Sequence, residues 1–351
     1  MGDRNSRMEL WFLALAAALA VALVVGTILT WTDPVVDAIL LGIATSFIFV
    51  IITDLAFRAR AWFSETRPLR EFFGIDLVSR TAYAMYVEFE LQPAVEAALR
   101  KTHGTRYWRK ADDHASEFDR PIEFTHAVAG NDIEAILDVA AILRARSEPL
   151  LFLRDQDFPR RRESQDAMSL IAPGLTANAA VKSYLDRGRG SSKDGDDPSR
   201  LFSLHEHDAH PMIRVADGPG AWRTFRGIPA QREGEAIIAP AQQFGIILRY
   251  CPDPVKHPDT RWIVVAGLER IGTPAAAAVL RRHWNGMRRL LGREYRSSDF
   301  LAVVQVDVND PDTRDREEFA AAARSARLVH LVVGPSAAES TILALPPSLQ
   351  G

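Results

Sequence analysis

The chain has a single cysteine, Cys251, so no intrachain disulfide can form, which fits a reducing compartment. It has no excess of either charge. A formal net charge of -3 gives no electrostatic footprint for nucleic acid, and none is expected as a partner. Gly-x-Ser-x-Gly is absent, Cys251 precedes Pro252 without an obvious histidine partner in sequence, and nothing marks a nucleophile. Gly-x-Gly-x-x-Gly is absent too. What is present is enough apolar character for a core: 47% hydrophobic and 25% charged residues exclude overall disorder.

Charge is also missing from Leu10 to Trp31, with tryptophans at both ends. About 20 apolar residues span a bilayer core, and tryptophan favours its interface. After Thr32-Asp33-Pro34 a second apolar run covers Val35 to Phe57. The pattern predicts a transmembrane hairpin over 1–57, with the lipid bilayer as a partner. Arg4 and Arg7 precede it, and Arg58, Arg60, Arg67 and Arg70 follow, whereas the connecting loop carries Asp33 and Asp37. The positive-inside rule then places both termini in the cytoplasm of a two-pass inner-membrane protein. A cleaved signal peptide and a buried soluble hairpin are the alternatives for this region. A basic juxtamembrane linker is expected over 58–74.

From 75 to 340 strands and helices alternate, which predicts an α/β domain with a Rossmann-like, mostly parallel sheet and a β-rich insertion. Tyr83, Met85, Val87, Phe89 and Leu91 alternate with polar residues, as in a strand with one wet face. A short helix is expected over Pro93–Lys101. Asn131 followed by Glu134 reads as a capping box opening a helix whose apolar face is Ile133, Ile136, Leu137, Ala140 and Leu143. Leu150–Leu153 reads as a buried strand, and 186–200 as a mobile loop rich in Gly, Ser and charge. Further strands are expected at Leu201–Leu204, Met212–Val215, Phe244–Tyr250, Phe300–Val306 and Leu328–Val333, with a helix over Thr313–Ala326. The tail, 341–351, is expected to be loosely held.

Two glycine turns each follow an apolar strand and precede a helix: "IAPGLTAN" at 171–178 and "VAGLERIGT" at 265–273. At the carboxyl edge of a parallel sheet, such turns offer helix N–H groups to an anion. Gly174, Asn178, Gly267, Arg270, Gly272 and Thr273 are the candidate ligand-binding residues. Gly267-x4-Gly272-Thr273 has P-loop spacing, but Pro274 follows and the P-loop lysine is missing, so no side chain reaches a β/γ-phosphate there. The structural alternative makes Thr273 an N-cap and Pro274 the first helical residue.

Other clusters read as surface. His205, His207 and His210 form an alternative metal-binding set, without His-Glu-x-x-His spacing. Asp155 and Asp157 end a strand, and Arg160-Arg161-Arg162 with its acidic neighbours reads as a solvated face.

The layout of the hairpin and the two turns resembles membrane-tethered sensors and effectors of bacterial signalling and antiphage defence, with a cytosolic Rossmann-like nucleotide-sensing domain. The resemblance is one of architecture and carries over no catalytic residue. It implies a membrane-anchored ligand-sensing module that binds a nucleotide or another phosphate-bearing ligand and signals to the hairpin. A nucleotide or NAD hydrolase using Glu269, Glu233 or Glu235 is the enzymatic alternative. A non-enzymatic membrane scaffold, as a homo-oligomer, is the third.

Overall fold

The computed structural model describes residues 25, 34–61, 66–75, 82–90, 126–128, 130–144, 150–175, 178–186, 197–207, 210–233, 236–295, 297–310 and 315–350. By internal packing the chain divides into residues 1–69 and 70–351.

In the first unit the second apolar run forms one helix, α1 (Pro34–Ala61). Among the described residues no helix is long and apolar enough to cross a membrane. Within α1 the uncharged stretch between Asp37 and Asp54 is 16 residues, short of the roughly 20 apolar residues that a span requires. The expected transmembrane hairpin, its two-pass inner-membrane placement and the bilayer-anchored layout are corrected accordingly. The first apolar run, apart from Val25, lies outside the described residues, as does the helix expected at 93–101. The expected linker ends in a helix, α2 (Arg67–Phe73), whose Phe72 and Phe73 are buried against Trp284, Phe72 also meeting Phe300.

The second unit is built on one eight-stranded sheet in the order β15-β14-β13-β11-β12-β5-β1-β4. Its strands are β1 (Ala82–Tyr86), β4 (Leu150–Arg154), β5 (Leu170–Pro173), β11 (Ala241–Tyr250), β12 (Trp262–Gly267), β13 (Phe300–Val308), β14 (Arg327–Val333) and β15 (Thr341–Ile342). Strands β4, β1, β5 and β12 are parallel neighbours. From β12 onward every pairing is antiparallel. The sheet is therefore mixed, which corrects the Rossmann-like, mostly parallel expectation. The physical reason lies at 251–261, CPDPVKHPDTR: a connection this short and proline-rich carries no crossover helix, so β11 and β12 pair as a hairpin.

Side-chain alternation splits the sheet into two apolar faces. One packs on α3 (Gly130–Arg144), α6 (Gly272–Leu291) and α7 (Arg316–Ser325). The other, with Ile246, Val264, Leu301 and Val303, packs on α5 (Ala179–Asp186), which follows the short helix α4 (Arg162–Asp166) in the chain, and on a three-stranded sheet. That sheet is β6 (Phe202–His207), β7 (His210–Ala216) and β8 (Trp222–Arg226), and it supplies Phe202, Ile213, Val215 and Phe225. A ribbon of β9 (Gln231–Glu233) and β10 (Ala236–Ala239) completes the β-rich insertion.

Several local readings change in detail. The alternation at 82–91 divides: β1 is an interior strand, and Glu88 and Glu90 belong to β2 (Glu88–Glu90), paired with β3 (His126–Val128). In α3, Ile136, Val139, Ala140 and Leu143 are buried, whereas Leu137 is exposed. β4 is an edge strand with Leu151 and Phe152 half-exposed, not the strand buried on both faces that its composition suggests. Residues 187–196 of the expected mobile loop lie outside the described residues. The tail is held to Gln350: β15 pairs with β14, and Leu349 of α8 (Pro347–Gln350) is buried over Gly286.

Candidate functional site

The parallel strands β4, β1, β5 and β12 end on one edge of the sheet, where α/β folds most often bind ligands. The structure brings both glycine turns to this edge.

The second turn is filled by backbone. A Cβ on Gly272 would stand 2.7 Å from Gly267 Cα and against Phe244 O, and one on Gly245 would meet Gly272 O. Glycine at these positions lets the start of α6 rest directly on β11 and β12. The turn's amides are used internally: Leu268 N donates to Phe244 O at 3.1 Å, Ile271 N to Gln243 Oε1 at 3.0 Å, and Gly272 N to Glu269 O at 3.1 Å. Ile271 is the N-cap residue, so Thr273 and Pro274 lie inside the first turn, and both are buried. Pro274 is tolerated because its missing N–H belongs to the unbonded first-turn donors. Arg270 places its guanidinium over the Phe319 ring, 5.2 Å from the centroid, while its carbonyl accepts from Asn131 Nδ2 at 2.7 Å.

The first turn is closed differently. Gly174 has φ +84, a conformation that side-chain-bearing residues avoid, and the Cβ it lacks would meet the Asp132 carboxylate at 3.2 Å. Asn178 is buried, and both ends of its amide are engaged. Its Nδ2 donates to Pro173 O and its Oδ1 accepts from Ala180 N, both at 2.9 Å. Asp155, beyond the end of β4, accepts from Ala179 N at 2.5 Å. Two side chains thus cap α5, in keeping with the preference of Asn and Asp for such positions.

Two carboxylic acids sit near these turns. Burial pushes Asp132 above the usual carboxylate range, and it does the same for Glu269, against a lowering contribution from the Phe244 amide. Among the described residues Glu269 Oε2 is buried without a hydrogen-bond partner, and the carboxylate occupies the space left by the missing side chain of Gly227. Of the other two candidate acids, Glu233 is exposed on β9 and Glu235 lies outside the described residues.

The opposite edge holds a buried ionic cluster. Asp299 Oδ1 accepts from Cys251 N at 2.7 Å. Arg249 is 1% exposed, and its guanidinium lies 5.6 and 5.8 Å from the ring centroids of Phe72 and Phe300. Arg261 donates to Pro258 O, Thr260 O and Ser297 O. Burial lowers Arg249 to about 9 and raises the Cys251 thiol, so Cys251 is not poised as a nucleophile. Of the candidate histidines, His205 Nε2 meets Ser203 Oγ at 2.9 Å, and the backbones of His207 and His210 are partners in the β6–β7 register. Among the described residues no group of three or more His, Cys, Asp or Glu is placed to hold a metal ion.

An open cleft of about 520 Å³ lies at the end of β4, between residues 155–165 and α5. Arg160, Arg162 and Lys182 line it with one carboxylate, Asp155. Arg162 faces Asp166 at 3.9 Å, and among the described residues Arg160 and Lys182 have no ion-pair partner. Ser183 Oγ donates to Gln165 Oε1 at 2.9 Å, and Gln165 Nε2 donates to Pro159 O at 2.6 Å. This chain ties the arginine-bearing segment to the helix that carries Lys182. Sequence reasoning takes the arginines for a solvated face and passes over Lys182. Its one usable signal is a basic run soon after a strand's carboxyl end.

Comparison with protein families, characterised proteins and solved structures finds no match to this chain. With the membrane layout corrected, nothing else supports the nucleotide-sensing, signalling and defence roles that came with the architectural resemblance, and those expectations are corrected with it.

Proposed function

We propose that this protein is a ligand-binding module for a small phosphate-bearing anion, held in the cleft beside α5. The observation that carries this reading is the convergence of Arg160, Arg162 and Lys182 on one cleft with a single carboxylate, Asp155, that is already engaged by Ala179 N. The cleft volume falls within the range of about 300–1,000 Å³ usual for small-molecule sites. Guanidinium groups suit phosphate because their donors match its oxygens in pairs. Calorimetric titration of the full chain with inorganic pyrophosphate tests it. Binding should weaken with rising ionic strength, because the site is open. Each of Arg160→Ala and Lys182→Ala should cost about tenfold, corresponding to roughly 1.5 kcal/mol for a hydrogen bond to a charged group. Unchanged binding in both variants would sink the assignment.

A second reading, hydrolysis, draws on Glu269. A carboxylic acid raised by burial, with an oxygen lacking a partner, has the character of a general acid. Turnover of phosphate esters or glycosides that Glu269→Gln abolishes, in a variant of unchanged stability, would support it. No turnover in the parent protein would remove it.

A further inference from the structure

We infer that the ligand is recognised through clustered phosphates alone, without a nucleobase; this rests on the anion-binding reading of the same cleft. A base is held by stacking on an aromatic face, worth about 1–3 kcal/mol. The aromatic side chain among the lining residues is Phe158, and it is not presented to a ligand. It is buried, and its ring packs edge-on against Trp262 with centroids 5.9 Å apart. The remaining apolar lining is Pro159 and Ala179, neither of which offers a π surface.

Base edges are read by amides and hydroxyls, and here the Gln165 amide and the Ser183 hydroxyl are engaged in structure, while the Gln156 amide lies exposed at the rim. The Gln165 amide bridges Ser183 and Pro159 with both of its ends. The Asp155 carboxylate caps α5. What the cleft presents is charge: Arg160, Arg162 and Lys182 line it with the Asp155 carboxylate, and Arg162 also faces Asp166 at 3.9 Å, which leaves Arg160 and Lys182 as the cations open to a ligand. A ligand that meets both carries at least two negative charges close together. A pyrophosphate or longer phosphate chain, or a small polyol bearing neighbouring phosphates, has this character. In a nucleotide the phosphate chain would supply the binding and the base would add nothing.

The test is a calorimetric series on the full chain in metal-free buffer, with phosphate, pyrophosphate, tripolyphosphate, ADP and ATP. Affinity should rise at least tenfold from phosphate to tripolyphosphate, and ATP should fall within about threefold of tripolyphosphate. An Arg160→Ala, Lys182→Ala double variant that keeps its melting temperature should lose at least thirtyfold for tripolyphosphate. ATP or ADP binding tenfold tighter than the matching inorganic chain would overturn the base-free inference and leave the anion site standing. Equal affinity across the inorganic series would likewise overturn recognition by clustered phosphates. Absence of binding by every probe, or full binding by the folded double variant, would overturn the anion site itself.

Discussion

Gly267 and Gly272 touch backbone to backbone, and a side chain on Gly272 would stand 2.7 Å from Gly267 Cα. A glycine pair that looks like a phosphate cradle in sequence is here the contact between β12 and α6. Gly272→Ala should therefore destabilise the fold by roughly 1–3 kcal/mol, the usual cost of forcing atoms into a packed interior. Chemical denaturation of the variant measures this. A midpoint equal to the parent's would mean that the helix start does not rest on the strand.

Asn178 makes a sharper case because it both donates and accepts. Asn178→Ala leaves Pro173 O and Ala180 N without these partners, at a cost of about 1–3 kcal/mol. Asn178→Asp should be worse at neutral pH, because a buried carboxylate would then face a carbonyl oxygen. It should recover partly on acidification, when the proton restores a donor. Thermal melts of both variants at pH 5 and pH 7.5 check the order, and an aspartate variant as stable as the parent at pH 7.5 would refute it.

Asp299 gives the pH dependence. Burial pushes its carboxyl up to about 7, while the Cys251 amide and the charges of Arg261 and Arg249 pull it down. The unfolded chain releases this proton near pH 3.9. Between about 4 and 7 the folded protein holds a proton that the unfolded chain has lost, so stability from this group falls as pH rises across that window. The contribution is complete below the unfolded value and gone above about 7. Asp299→Asn keeps an oxygen for Cys251 N and removes the titration. Its unfolding free energy should fall less steeply than the parent's from pH 5 to pH 7.5; parallel slopes would exclude Asp299 as the source.

The surface pair Arg281–Asp138, at 2.7 Å between α6 and α3, supplies a contrast. The arginine is more than half exposed, so solvent screens the pair. Arg281→Ala should cost less than about 1 kcal/mol. A larger loss in denaturant midpoint would mean that the pair contributes more to α3 docking than its exposure suggests.

The contrast between Gly272 and Lys182 shows how much of this molecule was legible. The strand at 262–267, the turn and the helix from 272 follow from short-range pattern, as do β6 and β7, though not β8, β9 and β10, and the helix opened by Asp315, whose side chain accepts from Glu317 N and Glu318 N. The second turn's spacing was visible as well. Its occupation by Phe244 and Gly245 was not, because those residues belong to a strand more than twenty positions away.

Periodicity, capping and turn chemistry act between near neighbours, so sequence by itself determined most of the main strands and helices and the two glycine turns that each link a strand to a helix. Tertiary structure alone decided the direction of β11, the edge position of β4, the partial burial of Asp299 and the meeting of Arg160, Arg162 and Lys182. Strand order and side-chain convergence depend on contacts between segments far apart in the chain, and on which of them exclude water from one another. No local window carries that information.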